Sequence, residues 1–210
     1  TVIGKGSPNK AGTAKAHGEP LGAEEVALTK QALGLSPEPF HVPVEVYAAF
    51  QRRAAACRRQ SRKWSADFDA ACRADPALRE RWDTHFLDRL PADLAAAMPS
   101  FAKPTATRVA SGAVLQALAR VVPQLVGGSA DLAPSTKTWI DEAAAIAPGD
   151  FAGRNFHFGI REHGMAALLN GITLHGGFRV FGSTFFVFAD YLRPSLRIAA
   201  LSRLPVIYVF

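Results

Sequence analysis

The sequence contains few cysteines and no long apolar run, and each shortage excludes a class of protein. Its two cysteines, Cys57 and Cys72, lie fifteen residues apart without a Cys-x-x-Cys pattern, so we expect neither a disulfide framework nor a zinc site. No apolar run reaches the ~18–20 residues of a membrane helix, and the first residues lack the layout of a secretory signal. We therefore expect free thiols, no membrane partner and a cytoplasmic protein.

Acidic residues are absent from the most basic stretch of the chain. Residues 51–63 hold six Arg and Lys side chains and no Asp or Glu, in a chain of net charge +6. Such a cluster favours nucleic-acid binding, since cations release counterions from phosphates. No aromatic stacking residue interleaves with it, so we favour a solvated helix face and expect no nucleic-acid partner. A basic nucleic-acid-binding module stays open as an alternative.

The overall composition is that of a packed globular protein, but both ends of the chain look incomplete. The 210 residues are 49% hydrophobic and 20% charged, which suits one domain plus part of a second. The chain opens on strand-like residues 1–4 and closes on the apolar run 205–210. Termini are typically polar and frayed, and a buried-type strand at an end leaves an unpaired sheet edge. We therefore expect a fragment of a longer protein.

Hydrophobic patterns differ between the two halves of the chain. In the first half they predict a glycine-rich loop over 1–23, a helix over 23–33, and Ala/Arg-rich connector helices around 45–74 and 76–97. In the second half, helices are predicted over 107–121, 161–175 and 184–200 and strands over 155–158, 178–183 and 205–210, and the run LVGGSADL follows the first of these helices. Strands that alternate with helices of this length predict an α/β fold with a parallel sheet flanked by helices.

The run GIREHGM (159–165) is the most informative motif. It places Glu162 at the start of a predicted helix, directly after an aromatic strand. A carboxylate between apolar neighbours is costly to bury unless a partner shares its charge or its proton. Glu162 is therefore either part of a structural ion pair, with Arg161 or the helix dipole, or a proton-transfer group. His157 and His163, on either side of it, are interpreted as scaffold, and a role in supporting the site residues stays open for them.

Two further segments carry residues suited to ligand binding. Phe185, Phe188 and Tyr191 recur at helical spacing, which indicates either a core stripe or a wall on which a ring stacks. In GGSADLAPS (127–135), paired glycines let the backbone approach a bound group at the carboxyl end of a strand. Turn chemistry around Pro134 is the alternative explanation for Asp131 and Ser135 in that segment.

Four segments together resemble the transketolase family of thiamine diphosphate enzymes. They are TVIGKGSPNKAGTAKAHGEPLG, GGSADLAPS, GRNFHFGIREHGM and GGFRVFGSTFFVFADYLRPS, in this order and over nearly the whole chain. The resemblance implies a chain that covers the end of the diphosphate-binding domain (1–35), a helical linker (36–104) and a truncated pyrimidine-binding domain (105–210). The implied activity is the transfer of a two-carbon ketol group between sugar phosphates through a thiamine carbanion, in the pentose phosphate pathway or the Calvin cycle.

The resemblance also implies a role for each candidate site residue. Glu162 would activate the cofactor by donating a proton to its pyrimidine nitrogen, since loss of water favours a protonated carboxyl. His17 would assist at the reacting end, where an imidazole can donate to a phosphate or move a proton. A family histidine expected nearby is replaced in the run Gly12-Thr13-Ala14-Lys15. The implied cofactor contacts are Asp131, Leu132, Phe185, Phe188 and Tyr191, and the implied sugar-phosphate contacts are Arg108, Ser135 and His17.

Part of the family's site is not found in this sequence. It has no Gly-Asp-Gly segment with a downstream Asn, so the Mg²⁺ or Ca²⁺ and the diphosphate are expected on a part of the protein outside it. The resemblance implies a homodimer with the cofactor between subunits, so we expect these 210 residues alone to be inactive. A related thiamine enzyme, such as dihydroxyacetone synthase, and a non-catalytic partner subunit stay open as alternatives. Deoxyxylulose phosphate synthase fits the motifs less well.

Overall fold

The computed structural model describes all 210 residues, which divide into two compact units. The first unit is Thr1–Asp69 and the second is Ala70–Phe210. The domain boundaries predicted after residues 35 and 104 come from the family resemblance and not from compactness. They stay a prediction. None of the helices combines the length and the apolar character that a membrane span requires.

The first unit begins with a loop that closes on itself. The Gly12 N–H donates to the Ile3 carbonyl at 2.9 Å, and the loop ends in the four-residue helix α1 (Lys15–Gly18). The next helix, α2 (Ala23–Ala32), confirms the helix predicted over 23–33. It ends where the chain reaches Gly34, whose left-handed backbone (φ +64°) lets the chain turn away.

Two helices form the connector. The 31-residue α3 (Val44–Ala74) has no buried residue, and α4 (Pro76–Phe86) begins at Asp75, whose side chain accepts a hydrogen bond from the Ala77 N–H. The helix predicted over 76–97 is wrong beyond Phe86. A left-handed residue, Asp88 (φ +52°), ends it, and only a short 3₁₀ turn at Ala95–Ala97 follows.

The second unit contains a four-stranded parallel sheet, which confirms the predicted fold class. Its strands are β1 (Leu125–Ser129), β2 (Asn155–His157), β3 (Arg179–Ser183) and β4 (Ile207–Val209), in the spatial order β2-β1-β3-β4. Its helices are α5 (Thr107–Val121), α6 (Ala133–Thr136), α7 (Glu162–His175) and α8 (Ala189–Leu201). The helix predicted over 107–121 is confirmed at both ends.

Apolar side chains cover both faces of the sheet, as alternation along parallel strands requires. On one face, Leu125 and Phe181 pack with Ala119 of α5. On the other, Val126 and Val180 pack with Leu169 of α7, alongside buried residues of α8. The sheet is therefore held between two apolar layers, and its carboxyl edge is fixed in place by both.

Close approach between elements explains the glycines of the sheet. A Cβ atom at Gly127 would stand 2.2 Å from the Phe181 carbonyl oxygen, and one at Gly128 would stand 2.0 Å from that of Phe156. A Cβ atom at Gly182 would lie 2.4 Å from Leu169, so α7 packs directly on the β3 backbone. These positions leave no room for a side chain.

A half-buried arginine joins α5 to the start of the sheet. The Arg154 guanidinium donates to the carbonyls of Ala119, Val122 and Leu125 at 2.8, 2.9 and 2.9 Å. Burial lowers the pKa of this guanidinium. The Ala119 carbonyl lies in the last turn of α5, where Pro123 has no N–H to donate to it, so Arg154 satisfies a group that would otherwise lack a partner.

The end of the connector contacts the amino edge of the sheet. The His85 ring donates from Nδ1 to the Gly177 carbonyl at 2.7 Å, and Arg179 donates to the Asp88 carboxylate at 2.6 Å. Gln124, just before β1, donates to the Arg89 carbonyl at 2.8 Å. The connector thus ends opposite the carboxyl ends of the strands.

One predicted helix begins later than expected. The helix predicted over 184–200 is wrong at its start, because Thr184 continues the sheet by donating its N–H to the Val209 carbonyl at 3.2 Å. Phe185 is extended, Phe186–Phe188 form a single 3₁₀ turn, and α8 begins only at Ala189. The aromatic side chains of this segment therefore leave the sheet edge on a turn before the helix.

Candidate active site at the carboxyl edge of the sheet

The strand order creates a crevice at one point of the sheet edge. From β1 the chain moves outward to β2, and from β3 it moves outward to β4, in the opposite direction. The segments that leave β1 and β3 therefore diverge between these two neighbouring strands. In open α/β sheets, ligands bind in the crevice at such a switch point, beyond the carboxyl ends of the strands.

A cavity of about 430 Å³ lies in this region. Segments that follow three different strands contribute to its wall: the lining residues are Ala130, Asp131, Leu132, Ile160, Glu162, Phe188 and Tyr191. Five of the residues singled out from the sequence are among them. The sequence patterns missed Ala130 and Ile160. Both lie within three residues of the end of a strand, so a search of the residues that follow each strand could have found them.

Glu162 is buried in the wall of this cavity without a partner. It is the first residue of α7 and 8% exposed, and its carboxylate forms no hydrogen bond or ion pair within the chain. The neighbouring Arg161 instead donates to the Phe158 carbonyl at 3.1 Å, so the predicted alternative of a Glu162–Arg161 pair is not formed. The largely buried Glu162 side chain thus leaves its carboxylate free for a ligand in the cavity, which can share its charge or its proton.

Three aromatic rings form a continuous row beside the cavity. The Phe185 and Phe188 rings are stacked, with centroids 6.1 Å apart and planes 13° apart. The Phe188 and Tyr191 rings follow at 6.2 Å and 31°. The single helical stripe predicted for these residues is wrong, because Phe185 precedes the helix, yet the row itself is formed. Phe188 and Tyr191 line the cavity, and Phe185 stacks behind Phe188.

The turn after β1 is shaped by hydroxyl groups. Asp131 has a left-handed backbone (φ +61°), which Asp tolerates better than most residues. The Ser129 hydroxyl donates to the Ser183 carbonyl at 3.0 Å and accepts from the Leu132 N–H at 3.1 Å. Thr136 and Thr138 join the Ser183 hydroxyl in the same buried cluster. These bonds fix the turn that carries Asp131 into the cavity.

A second cavity of about 590 Å³ lies on the other side of Asp131. Its lining residues are Ser129, Asp131, Ala133, Pro134, Trp139, Phe156, His157, Gly159 and Arg161. Trp139 lies against the His157 ring, with centroids 5.0 Å apart. Trp139 was not singled out from the sequence, because it follows α6 in a loop that carries no motif.

The three predicted sugar-phosphate contacts do not line the first cavity. Ser135 is exposed in α6 and donates its N–H to the Leu132 carbonyl at 3.0 Å. Arg108 is exposed at the start of α5. His17 is exposed in α1, which belongs to the first compact unit. Their roles in binding stay predictions.

No cluster of three or more His, Cys, Asp or Glu side chains that could hold a metal ion is present in the 210 residues. The first cavity offers a different donor set: one buried acid without a partner and aligned aromatic rings. That set fits a flat nitrogen-containing ring, because the rings offer a stacking surface and the acid can hold a proton at a ring nitrogen.

Comparison with known protein families finds a matching family for each half of the chain. The family described as Transketolase, pyrimidine binding domain, matches residues 103–210, which contain the sheet and the first cavity. The family described as Transketolase, thiamine diphosphate binding domain, matches residues 1–91.

Curated transketolases match this chain over its whole length. A transketolase of Halalkalibacterium halodurans is 48% identical over 213 residues, and one of Bacillus subtilis is 49% identical over 217. In both comparisons the match covers 100% of this chain and 32% of the relative. The chain therefore spans about a third of the length of the curated relatives it matches.

Solved structures agree with the sequence comparisons. A transketolase from Leishmania mexicana superposes with a TM-score of 0.86 at 36% identity, over 99% of this chain and 31% of that one. A Pichia stipitis transketolase in complex with sedoheptulose 7-phosphate superposes with a TM-score of 0.83 at 35% identity. That match covers 99% of this chain and 32% of the Pichia stipitis chain. With a family match over half of the sequence and the same fold at the candidate site, this chain belongs to the transketolase family.

Proposed function

We propose that the protein acts as a transketolase, moving a two-carbon ketol group from a ketose phosphate to an aldose phosphate in the pentose phosphate pathway or the Calvin cycle. The observation that carries this proposal is Glu162: a buried carboxylate without a partner, in a cavity at the switch point, beside a row of aromatic rings. Family membership of the chain supports the same conclusion.

The proposed cofactor is thiamine diphosphate, whose thiazolium ring supplies a carbon nucleophile when the cofactor is bound. In this proposal Glu162 holds a proton at the nitrogen of the pyrimidine ring. The site is suited to this task, since the Glu162 carboxyl lines the cavity and has no competing hydrogen-bond partner within the chain. The description of the matching domains as thiamine diphosphate binding and pyrimidine binding is the second support.

The aromatic row would orient the pyrimidine ring. Phe188 offers a face in the cavity, and Phe185 stacks behind it, which limits its rotation. Offset stacking of this kind contributes about 0.5–1.5 kcal/mol beyond the burial of area. Asp131 and Leu132 bring the turn after β1 to the same cavity, where a backbone or carboxylate contact with the ring substituents is available.

Sugar phosphates are the proposed substrates. Arg108 would hold the phosphate through its guanidinium fork, with Ser135 as a second donor, and both side chains are exposed and accessible to a ligand. His17 would act at the reacting end of the sugar. The Pichia stipitis transketolase bound to sedoheptulose 7-phosphate supports this class of ligand by family likeness.

The active form is proposed to be a cytoplasmic homodimer with the cofactor between subunits. Apolar side chains near the cavity support a covered state: Ile160, Phe186 and Val187 are 78%, 77% and 73% exposed. Exposed apolar patches of this kind mark interaction surfaces. The proposed Mg²⁺ or Ca²⁺ would be held by parts of the protein outside these 210 residues, together with the diphosphate.

The deciding experiment uses a full-length version of the protein, with the length of its relatives, assayed with thiamine diphosphate, Mg²⁺, xylulose 5-phosphate and ribose 5-phosphate. We expect ketol transfer, and a loss of about 10²–10⁴-fold in kcat for Glu162→Gln, the range for a lost acid–base group. Glu142→Gln is the matched control, because Glu142 is an exposed acid in the same unit. Unchanged turnover with Glu162→Gln would refute the assigned role.

The same assay separates the alternatives. Cofactor binding without transfer to ribose 5-phosphate would favour a related thiamine enzyme with other substrates, such as dihydroxyacetone synthase. Absence of both cofactor binding and transfer would favour a non-catalytic partner subunit. We also expect no ketol transfer by the 210 residues on their own, and measurable transfer by them would contradict the idea of a composite site.

A further inference from the structure

We propose that Ser195 and His163 are positioning residues that clamp α8 to α7 and thereby set the spacing between Glu162 and the aromatic row. The inference rests on the proposed function, because it concerns the pyrimidine end of the cofactor site. It assigns a defined role to His163, which the sequence alone indicates as scaffold, and to Ser195, which no motif singles out.

The clamp joins the first turn of α7 to the middle of α8, one turn after Tyr191. The Ser195 hydroxyl lies 2.9 Å from Nδ1 of His163, and 3.4 Å from the His163 carbonyl oxygen. Ser195 is 5% exposed, so its hydroxyl is buried, whereas His163 reaches this hydroxyl from an exposed position. His163 directly follows Glu162 in the first turn of α7, so this bond holds the turn on which the Glu162 side chain stands.

A second bond joins the same two helices and extends to the sheet. Asn170 of α7 donates from Nδ2 to the Ser195 carbonyl at 2.9 Å. The Tyr208 hydroxyl of β4 lies 3.4 Å from Asn170 Oδ1. Both the hydroxyl and the carbonyl of Ser195 are thus directed at α7. A single residue of α8 is held at two points, which fixes the rotation of α8 as well as its distance from α7.

Local backbone features explain why such a clamp is needed. Pro194 precedes Ser195 inside α8 and has no N–H, so it cannot bond the Asp190 carbonyl in the turn that contains Tyr191. At the other helix, Arg161 precedes α7 without a side-chain cap. Each of the two turns that carry Tyr191 and Glu162 therefore lacks one ordinary local hydrogen bond, and Ser195 and His163 connect these turns to each other.

Apolar packing alone does not specify this spacing. Met165, Leu169 and Leu192 are almost fully buried and hold the two helices together over their length. Apolar contact is not directional, however, and permits small shifts along and around the helix axes. A directional hydrogen bond from α8 to the first turn of α7 can fix the positions that matter for a ligand with little effect on overall stability.

The test measures binding and stability separately in the full-length protein. Ser195→Ala removes the hydroxyl, and Ser202→Ala is the matched control, because Ser202 is exposed just after the same helix. We expect the Kd for thiamine diphosphate to rise about fivefold in Ser195→Ala, the effect of one hydrogen bond. The Kd for inorganic pyrophosphate, which lacks the pyrimidine ring, should not change in either variant.

A second pair of variants addresses His163 and keeps the test decisive if Ser195→Ala does not fold. His163→Leu cannot bond to Ser195, whereas His163→Asn keeps a polar atom near the position of Nδ1. We expect weaker thiamine diphosphate binding for Leu, recovery for Asn, and unfolding temperatures without cofactor that do not follow the binding order. Rescue by Asn would not be expected of a residue that only fills space.

The outcomes distinguish this inference from the proposed function. If the unmodified protein does not bind thiamine diphosphate, the proposed function fails and the clamp fails with it. If it binds, but Ser195→Ala matches Ser202→Ala, only the clamp is refuted. Equal weakening of thiamine diphosphate and pyrophosphate binding would also refute it, because that result indicates a general loss of structure.

Discussion

The loop that leads to His17 and the sheet edge that carries Glu162 hold their candidate site residues by different physical means. Glu162 stands on a sheet covered by an apolar layer on each face. In the first unit, Thr1–Asp69, the buried residues are Ser7 and Glu25, both polar. The first arrangement depends on area removed from water, and the second depends on one charged group and its donors.

The bonds of Glu25 close the loop. Its carboxylate accepts from the Ser7 hydroxyl, from the Asn9 N–H at 2.8 Å and from Asn9 Nδ2 at 2.8 Å. These donors lower the pKa of Glu25 from 4.5 to about 2, with the Ser7 hydroxyl as the largest cause. The loop therefore requires an ionised carboxylate, whereas the sheet has no comparable dependence on one charge. We expect the two regions to respond differently to substitutions and to pH.

The largest expected effect is at the sheet. Gly128→Ala would place a Cβ atom 2.0 Å from the Phe156 carbonyl oxygen, so β1 and β2 would have to separate. We expect a loss of about 3 kcal/mol or more in the free energy of unfolding. Gly171→Ala is the control, since nothing lies within 4 Å of its Cβ position in α7, and a gain of up to about 1 kcal/mol is expected. Urea unfolding of both variants measures the difference.

Truncation of the apolar layer should have the next largest effect. Leu169 is fully buried against the sheet, and Leu168, its neighbour in α7, is 58% exposed. We expect Leu169→Ala to cost about 3 kcal/mol, because the burial is lost and a cavity remains. Leu168→Ala should change stability by less than about 0.5 kcal/mol. Similar losses at both positions would show that α7 is held by something other than this layer.

The loop should be more sensitive to pH than to lost area. Because the folded pKa of Glu25 lies below its value of 4.5 in the unfolded chain, its stabilising contribution is complete above about 4.5 and disappears as the pH falls towards 2. Glu25→Gln should therefore speed hydrogen exchange of the Asn9 amide near neutral pH, with a difference from the unmodified protein that shrinks below pH 4.5.

Glu24→Gln is the matched control for this measurement. Glu24 is the neighbouring acid in the first turn of α2 and is exposed, so its substitution changes the same net charge without touching the loop. We expect the Asn9 amide to keep its protection in that variant. Equal effects of the two substitutions would assign the protection to the charge near the helix start and not to the bonds of Glu25.

The same contrast explains which features the sequence could predict. Periodic apolar patterns and strand–helix alternation predicted α5 over 107–121 and the parallel sheet, because repeated burial leaves a regular trace in the sequence. Glu162 could be singled out because its motif follows a strand. The bond between Ser7 and Glu25 joins residues eighteen positions apart, and that between His163 and Ser195 joins residues thirty-two apart, without any repeat.

The two wrong helix boundaries have local causes. The pattern over 76–97 is helical in composition, but one left-handed residue, Asp88, ends the helix early. The aromatic spacing at Phe185, Phe188 and Tyr191 resembles a helix, but Thr184 pairs with β4 and delays the start of α8. In both segments one local backbone feature overrides a helical preference that is summed over many residues.

The smallest expected effect tests whether the turn at Asp131 behaves like the loop or like the sheet. Asp131 is exposed and its carboxylate has no bond within the chain, so only its left-handed backbone should matter to stability. Asp131→Ala should cost about 1 kcal/mol, because Ala is disfavoured at positive φ, and Asp131→Asn should cost less than about 0.5 kcal/mol. Urea unfolding without cofactor measures both. A cost for Asn as large as that for Ala would mean that the charge of Asp131 itself stabilises the turn, as the charge of Glu25 stabilises the loop.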